Sequence, residues 1–212
     1  MPHNLYILSG QPQGKKKTLN ETQALQPYIT AATGIDISPQ MLETYTHRMS
    51  EAAIPAKGLI ADFASGETTD TEAEAEIGRD FDIAVVGLGF HHFEDPEGCL
   101  RRLGGRMGKG GVVVVVDWEV DGHHHHHEGG KQGHGHGQQA HQHKEMETET
   151  PEWKQIKHTI KHNGFDEEGL KLMFEAAGLR GFGFLRLEEM FVLEMNGKRV
   201  EKKGFVARGY VA

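Results

Sequence analysis

The chain of 212 residues has one cysteine, seven prolines, few aromatics (8%) and no long apolar run. Each scarcity excludes something. With Cys99 alone no intrachain disulfide can form, which suits a reducing compartment. No stretch approaches the ~20 apolar residues of a membrane-crossing helix, and no signal-peptide pattern opens the chain. A cytoplasmic protein with no membrane partner is therefore expected. Basic residues are also in deficit, at 23 Lys and Arg against 31 Asp and Glu, for a net charge of −8. A chain that gripped a nucleic-acid backbone would need a basic face, so no nucleic-acid partner is expected. The one basic cluster, Lys15-Lys16-Lys17, reads as a solvated turn or tail.

What is present is uneven. Residues at about 122–146 are low in complexity, with Gly, His and Gln dominating the first twenty or so and His123–His127 uninterrupted. Such a composition cannot build a packed core, so a disordered insertion is expected within a single domain over 1–212. Imidazoles at this density can take up Zn²⁺, Ni²⁺ or Cu²⁺ adventitiously, but a defined zinc centre needs fixed ligands with supporting hydrogen bonds.

Outside that tract, apolar runs and helical patterns alternate. Leu5-Tyr6-Ile7-Leu8, 29–37, 57–63, 81–86 and the five valines of 112–116 read as strands. A β-branched run without alternation implies a strand covered on both faces, as in a parallel sheet. Ser38-Pro39 and Asp95-Pro96 each supply a cap and a first-turn proline for a helix. Met41, Tyr45 and Met49 give the first helix its apolar side; Leu100, Leu103 and Met107 do so for the second, with Gly108, Gly110 and Gly111 ending it. A third helix, capped by Asp166 or a neighbour, runs through Leu170, Met173, Phe174 and Ala177 to a stop at Gly178. Runs at 181–187, 190–195 and 205–211, with Asn196-Gly197 as a turn signal, read as terminal antiparallel structure. The alternation predicts a doubly wound α/β sheet with helices on both faces.

In such a sheet ligands bind at the carboxyl ends of the parallel strands. Three strand ends carry chemistry. Asp36 can accept both hydroxyls of a ribose. Asp62, beside Phe63, can accept from an adenine amino group while the aromatic ring packs. Gly87-Leu88-Gly89-Phe90-His91-His92 combines glycines that admit close backbone approach with imidazoles able to act as general bases.

These pieces fall into an order. GIDISPQM at 34–41, ADF at 61–63, FDIAVVGLGFHHFEDPEGCLRRL at 81–103, GKGGVVVVVDW at 108–118 and NGFDEEGLKLMFEAAGLRGFGF at 163–184 resemble successive motifs of the class I S-adenosylmethionine-dependent methyltransferases. The likeness is strongest to small-molecule enzymes of the ubiquinone-biosynthesis type and their fungal relatives, and it covers roughly 19–118 and 151–211. It implies a Rossmann-like, mostly parallel seven-stranded sheet with an antiparallel strand near the C-terminus, S-adenosylmethionine as cofactor and a small-molecule acceptor. It places ribose binding on Asp36 with Ile37 beside it, adenine binding on Asp62 and Phe63, and the methionine end on Gly87, Leu88 and Gly89, with His91 and His92 as candidate catalytic bases. The family's G-x-G-x-G loop is missing or degenerate: upstream of Asp36 only Gly10 and Gly14 stand in its place, and no acid precedes Gly10. In the family fold the first strand lies mid-sheet, so 5–8 is expected to fill that slot. A methyltransferase is the leading reading. A non-catalytic relative and a metal-binding protein acting through the His tract are the alternatives.

Overall fold

The computed structural model describes residues 4–9, 28–63, 76–120, 160–195 and 198–212, and of 4–9, 193–195 and 198 the backbone alone. The expected disordered tract, the lysine cluster and the Asn196-Gly197 turn lie outside these residues. The described elements are β1 (Asn4–Ser9), β2 (Ala31–Asp36), α1 (Pro39–Glu51), β3 (Ala56–Ile60), β4 (Phe81–Gly87), α2 (Pro96–Gly104), β5 (Met107–Trp118), α3 (Glu167–Ala176), β6 (Arg180–Met195) and β7 (Lys198–Tyr210). They form a seven-stranded sheet in the order β3-β2-β1-β4-β5-β7-β6. The first five strands are parallel, and β7 runs antiparallel to both β5 and β6.

The Leu5–Leu8 run fills the central slot. Leu5 to Leu8 pair with Ala32 to Ile35 of β2 on one side and with Ile83 to Val86 of β4 on the other. Removing this strand would leave two interior rows of backbone groups without partners, each group costing about 1–3 kcal/mol when buried.

Two cores lie on the two faces, and alternation along the strands assigns residues to them. Val85 joins Tyr45 and Met49 of α1 in one cluster. Its neighbours Ala84 and Val86 join Leu100 and Leu103 of α2 and Leu170 and Phe174 of α3 in the other. The valine run divides likewise: Val113 and Val115 are fully buried on the α2–α3 side, while Val114 packs half-buried against the α1 side. Gly34 lets the Tyr45 ring lie against β2, because a Cβ there would sit 2.6 Å from that ring.

All three helices start at the expected caps. Ser38 Oγ accepts from Met41 N–H at 3.4 Å, Asp95 Oδ1 from Gly98 N–H at 2.9 Å and Asp166 Oδ1 from Gly169 N–H at 2.7 Å. Several details differ from the sequence reading. In α1 the buried residues are Leu42, Tyr45 and Met49, with Met41 only half-buried. Met107 belongs to β5, not to α2, which stops earlier, at Gly104-Gly105. The glycines at 108, 110 and 111 lie within β5, where Gly110 adopts φ +77°. The C-terminal strand segments merge into one 16-residue β6, with a register shift between Arg186 and Met190 marking the join. No helix among the described residues is long and apolar enough to cross a membrane.

Candidate functional site at the carboxyl edge

Register alone sets the order of groups along the carboxyl edge. Asp36 is opposite Ile60, the last residue of β3, and Asp62 follows two residues on. Ser9, the last residue of β1, is opposite Gly87 of β4, and Gly87 is opposite Val116, which precedes Asp117. Read across the sheet, the edge runs Asp62, Asp36, Ser9, Gly87, Asp117. With strands about 4.8 Å apart, Asp36 and Gly87 stand roughly 10 Å from each other with Ser9 between them. The two acids thus lie at one edge of the sheet, Asp36 closing β2 and Asp62 two residues beyond the end of β3.

Asp36 is buried, and its Oδ1 accepts from Ser38 N–H at 2.8 Å, which fixes the turn into α1. The next residue is the reverse: Ile37 is 67% exposed, a large apolar side chain beside a buried acid. Ile60 is also exposed. Asp62 is exposed and Phe63 is buried, with the Phe63 carbonyl accepting from Arg102 Nε at 3.0 Å.

At the end of β4 the chain turns sharply. Leu88 adopts φ +49° between two glycines, and its N–H donates to Val116 O at 2.8 Å. A left-handed leucine is strained by roughly 1–2 kcal/mol, and such strain gathers at ligand sites. A short 3₁₀ turn, Phe90–His92, follows. Phe90 plugs it into the core, tilted on Phe165 with ring centroids 5.0 Å apart.

His91 is buried and tightly held. Its Nδ1 lies 3.0 Å from each oxygen of Asp117, and its backbone N–H donates to Asp117 Oδ2 at 3.1 Å. Asp117, fully buried, also accepts from Trp118 N–H at 2.8 Å. The His91 carbonyl accepts from the N–H groups of both Lys161 and His162 at 3.0 Å, which anchors the strand-end turn to the chain entering α3. The His91 ring has two ring neighbours, Trp118 at 3.8 Å and half-buried His92 at 4.0 Å between centroids. Asp117 was missed as a site residue by sequence reasoning, although an acid closing the five-valine strand, next in the sheet to the strand bearing His91, was a usable signal. Trp118 was likewise read only as the strand's end. Among the described residues no group of three His, Cys, Asp or Glu is placed to hold a metal ion.

The profile of a family described as a methyltransferase domain matches residues 17–181. The chain belongs to this methyltransferase family. It is 26% identical over 96 residues to an uncharacterized methyltransferase of Schizosaccharomyces pombe, a match covering 45% of this chain and 34% of the relative. It is 33% identical over 90 residues to one of Mycobacterium tuberculosis, covering 42% and 39%. The match thus spans little more than a third of either curated relative. Among solved structures, the YcgJ protein of Bacillus subtilis superposes with TM-score 0.57 at 13% identity over 99% of this chain and 92% of that one. The N-methyltransferase NodS of Bradyrhizobium japonicum gives 0.55 at 13% identity, over 99% and 86%. At these identities the structural likeness establishes the Rossmann-like methyltransferase fold of this family member and nothing finer.

Proposed function

We propose that the protein transfers a methyl group from S-adenosylmethionine to a small molecule. The observation that carries this reading is the carboxyl-edge row. A buried acid on β2 and an exposed acid after β3 stand on neighbouring strand ends, with an uncovered apolar side chain, Ile37, between them in sequence. This set fits a nucleoside. Asp36 would accept from the ribose hydroxyls, a charge-assisted interaction contributing roughly 1.5–3 kcal/mol. Asp62 would accept from the adenine amino group, with Ile37 and Phe63 supplying apolar surface to the base. Gly87, Leu88 and Gly89 would face the methionine end, where the strained turn leaves backbone rather than side chain at the edge. At the end of β1 the fit is looser, since Ser9 stands where the family carries an acid.

When bound, the cofactor supplies an electrophilic methyl on a sulfonium. What the protein adds is largely position, because two reactants held in line react as one. Of the two candidate bases, His91 has the better support. Its Nδ1 faces an acceptor-only carboxylate and so carries the proton, which leaves Nε2 as the basic nitrogen.

Titration calorimetry tests the reading directly. S-adenosylmethionine is expected to bind the wild-type chain with a defined endpoint, and Asp36→Ala is expected to weaken it at least about tenfold. Equal affinity in the two proteins would refute the ribose assignment.

A further inference from the structure

We infer that the acceptor end of the site is built for an oxygen nucleophile, with the Trp118 indole N–H holding the reacting oxygen and Asp117 acting as the residue that positions His91. This rests on the methyl-transfer reading above and adds to it the acceptor atom and two residues.

Trp118 is 6% exposed, and among the described residues no acceptor meets its Nε1–H. Buried donors without acceptors are rare, and each asks for an explanation. The same indole lies tilted against the His91 ring, with centroids 3.8 Å apart. With Nδ1 turned to Asp117, nothing among the described residues hydrogen-bonds His91 Nε2. Two neighbouring rings thus present complementary needs: a donor without an acceptor and a basic nitrogen without a donor.

A hydroxyl oxygen has the groups to meet both needs. A hydroxyl oxygen gives its proton to His91 Nε2, accepts from Trp118 Nε1–H through one lone pair and keeps another for attack. An amine nitrogen has a single lone pair, which the indole N–H would occupy. The bonds balance: the O–H bond breaks with its proton passing to Nε2, the oxygen lone pair forms the new bond to the methyl carbon, and the S–C pair returns to sulfur as a neutral thioether. Apolar side chains lie on the sheet beside Trp118. Trp118 is directly opposite Gly204 in the β5–β7 pair, so both point to one face. A Cβ on Gly204 would lie 2.6 Å from Phe191 and 2.8 Å from Leu187, so these side chains fill the space that the glycine leaves on that face.

The test uses the full chain labelled with ¹⁵N, and phenol and aniline as matched probes that differ in the presented atom. Phenol is expected to move the indole N–H resonance that vanishes in Trp118→Phe, with an affinity at least about fivefold above that of aniline. Trp118→Phe is expected to erase this preference while S-adenosylmethionine binding is unchanged. Long-range ¹H–¹⁵N spectra should show the His91 proton on Nδ1 in the wild type and on Nε2 in Asp117→Asn, a change that a purely structural aspartate would not produce. An indole resonance indifferent to phenol up to its solubility limit, or held unchanged by an ordered water only, would overturn the oxygen assignment. A His91 tautomer unaltered by Asp117→Asn would overturn the positioning role. If S-adenosylmethionine fails to bind while the phenol response persists, the cofactor reading falls and the oxygen site stands.

Discussion

The two ends of the carboxyl edge are built on opposite terms. At the β2–β3 end Asp62, Ile37 and Ile60 are exposed, while Asp36 is buried and accepts from the Ser38 N–H of its own turn. At the β4–β5 end nearly everything is sealed, with His91, Asp117 and Trp118 all under 9% exposed and Asp117 receiving N–H groups from both neighbours. An open end costs little to keep in water and draws its binding energy from a ligand. A sealed end must satisfy its own charges during folding, because a buried carboxylate without donors is strongly destabilising. The exposed Asp62 and Ile37 can therefore change with little effect on stability, while the sealed end cannot.

Asp117→Ala is the largest break in that contrast. It strands the His91 and Trp118 backbone N–H groups and His91 Nδ1 together, and is expected to lower stability by at least about 3 kcal/mol in urea unfolding. Asp36→Ala leaves the Ser38 N–H without its acceptor and should lower stability less, by about 1–2 kcal/mol. Its signature lies elsewhere: the melting-temperature rise expected for the wild type with S-adenosylmethionine should largely vanish. Near-equal stability losses in the two variants would erase the distinction between the ends.

Cys99 sharpens the comparison through pH. It sits fully buried in α2, and burial pushes its thiol from the ordinary 9.0 up to about 12, with Arg102 opposing and Asp95 and Asp62 adding to the rise. The sign follows from linkage: the unfolded chain loses this proton near pH 9 and the folded chain does not, so the thiol's contribution is fully present below pH 9 and is lost as pH climbs toward 12. Between those limits wild-type stability should fall more steeply than that of Cys99→Ala, by roughly one kcal/mol per pH unit. Parallel curves would mean that the thiol ionises in place.

The layout of the molecule was largely legible in the sequence because its signals are local. Caps at Ser38, Asp95 and Asp166 set helix starts, and the unbroken valines announced a two-sided strand. Asp36 and Asp62 stood out because each ends a strand pattern. Boundaries governed by backbone pairing were less legible: Met107 continues a helical spacing, yet pairing with Phe81 draws it into β5. The sealed end was legible only in part. Its partners are 26 residues apart in sequence and meet only because β4 and β5 are adjacent, so local pattern showed the histidine without the acid that holds it.

Leu88 lies where the two ends meet, and substituting it should have the smallest effect. Its φ of +49° is one that leucine adopts at a cost, while its N–H ties the turn to Val116 of β5. Leu88→Gly relieves roughly 1–2 kcal/mol of strain but adds 0.5–1 kcal/mol of unfolded-chain entropy, by general estimate, and gives up the packing of a half-buried side chain. The terms nearly cancel, so stability should stay within about 1 kcal/mol of the wild type. What changes is order. A leucine admits few alternatives to this turn and a glycine admits many, so the glycine variant must be ordered by the ligand itself, with S-adenosylmethionine affinity expected to drop by less than about fivefold. Tighter binding by Leu88→Gly would show instead that the leucine side chain obstructs the methionine end, and would move the boundary between the open and sealed halves from β4 toward β5.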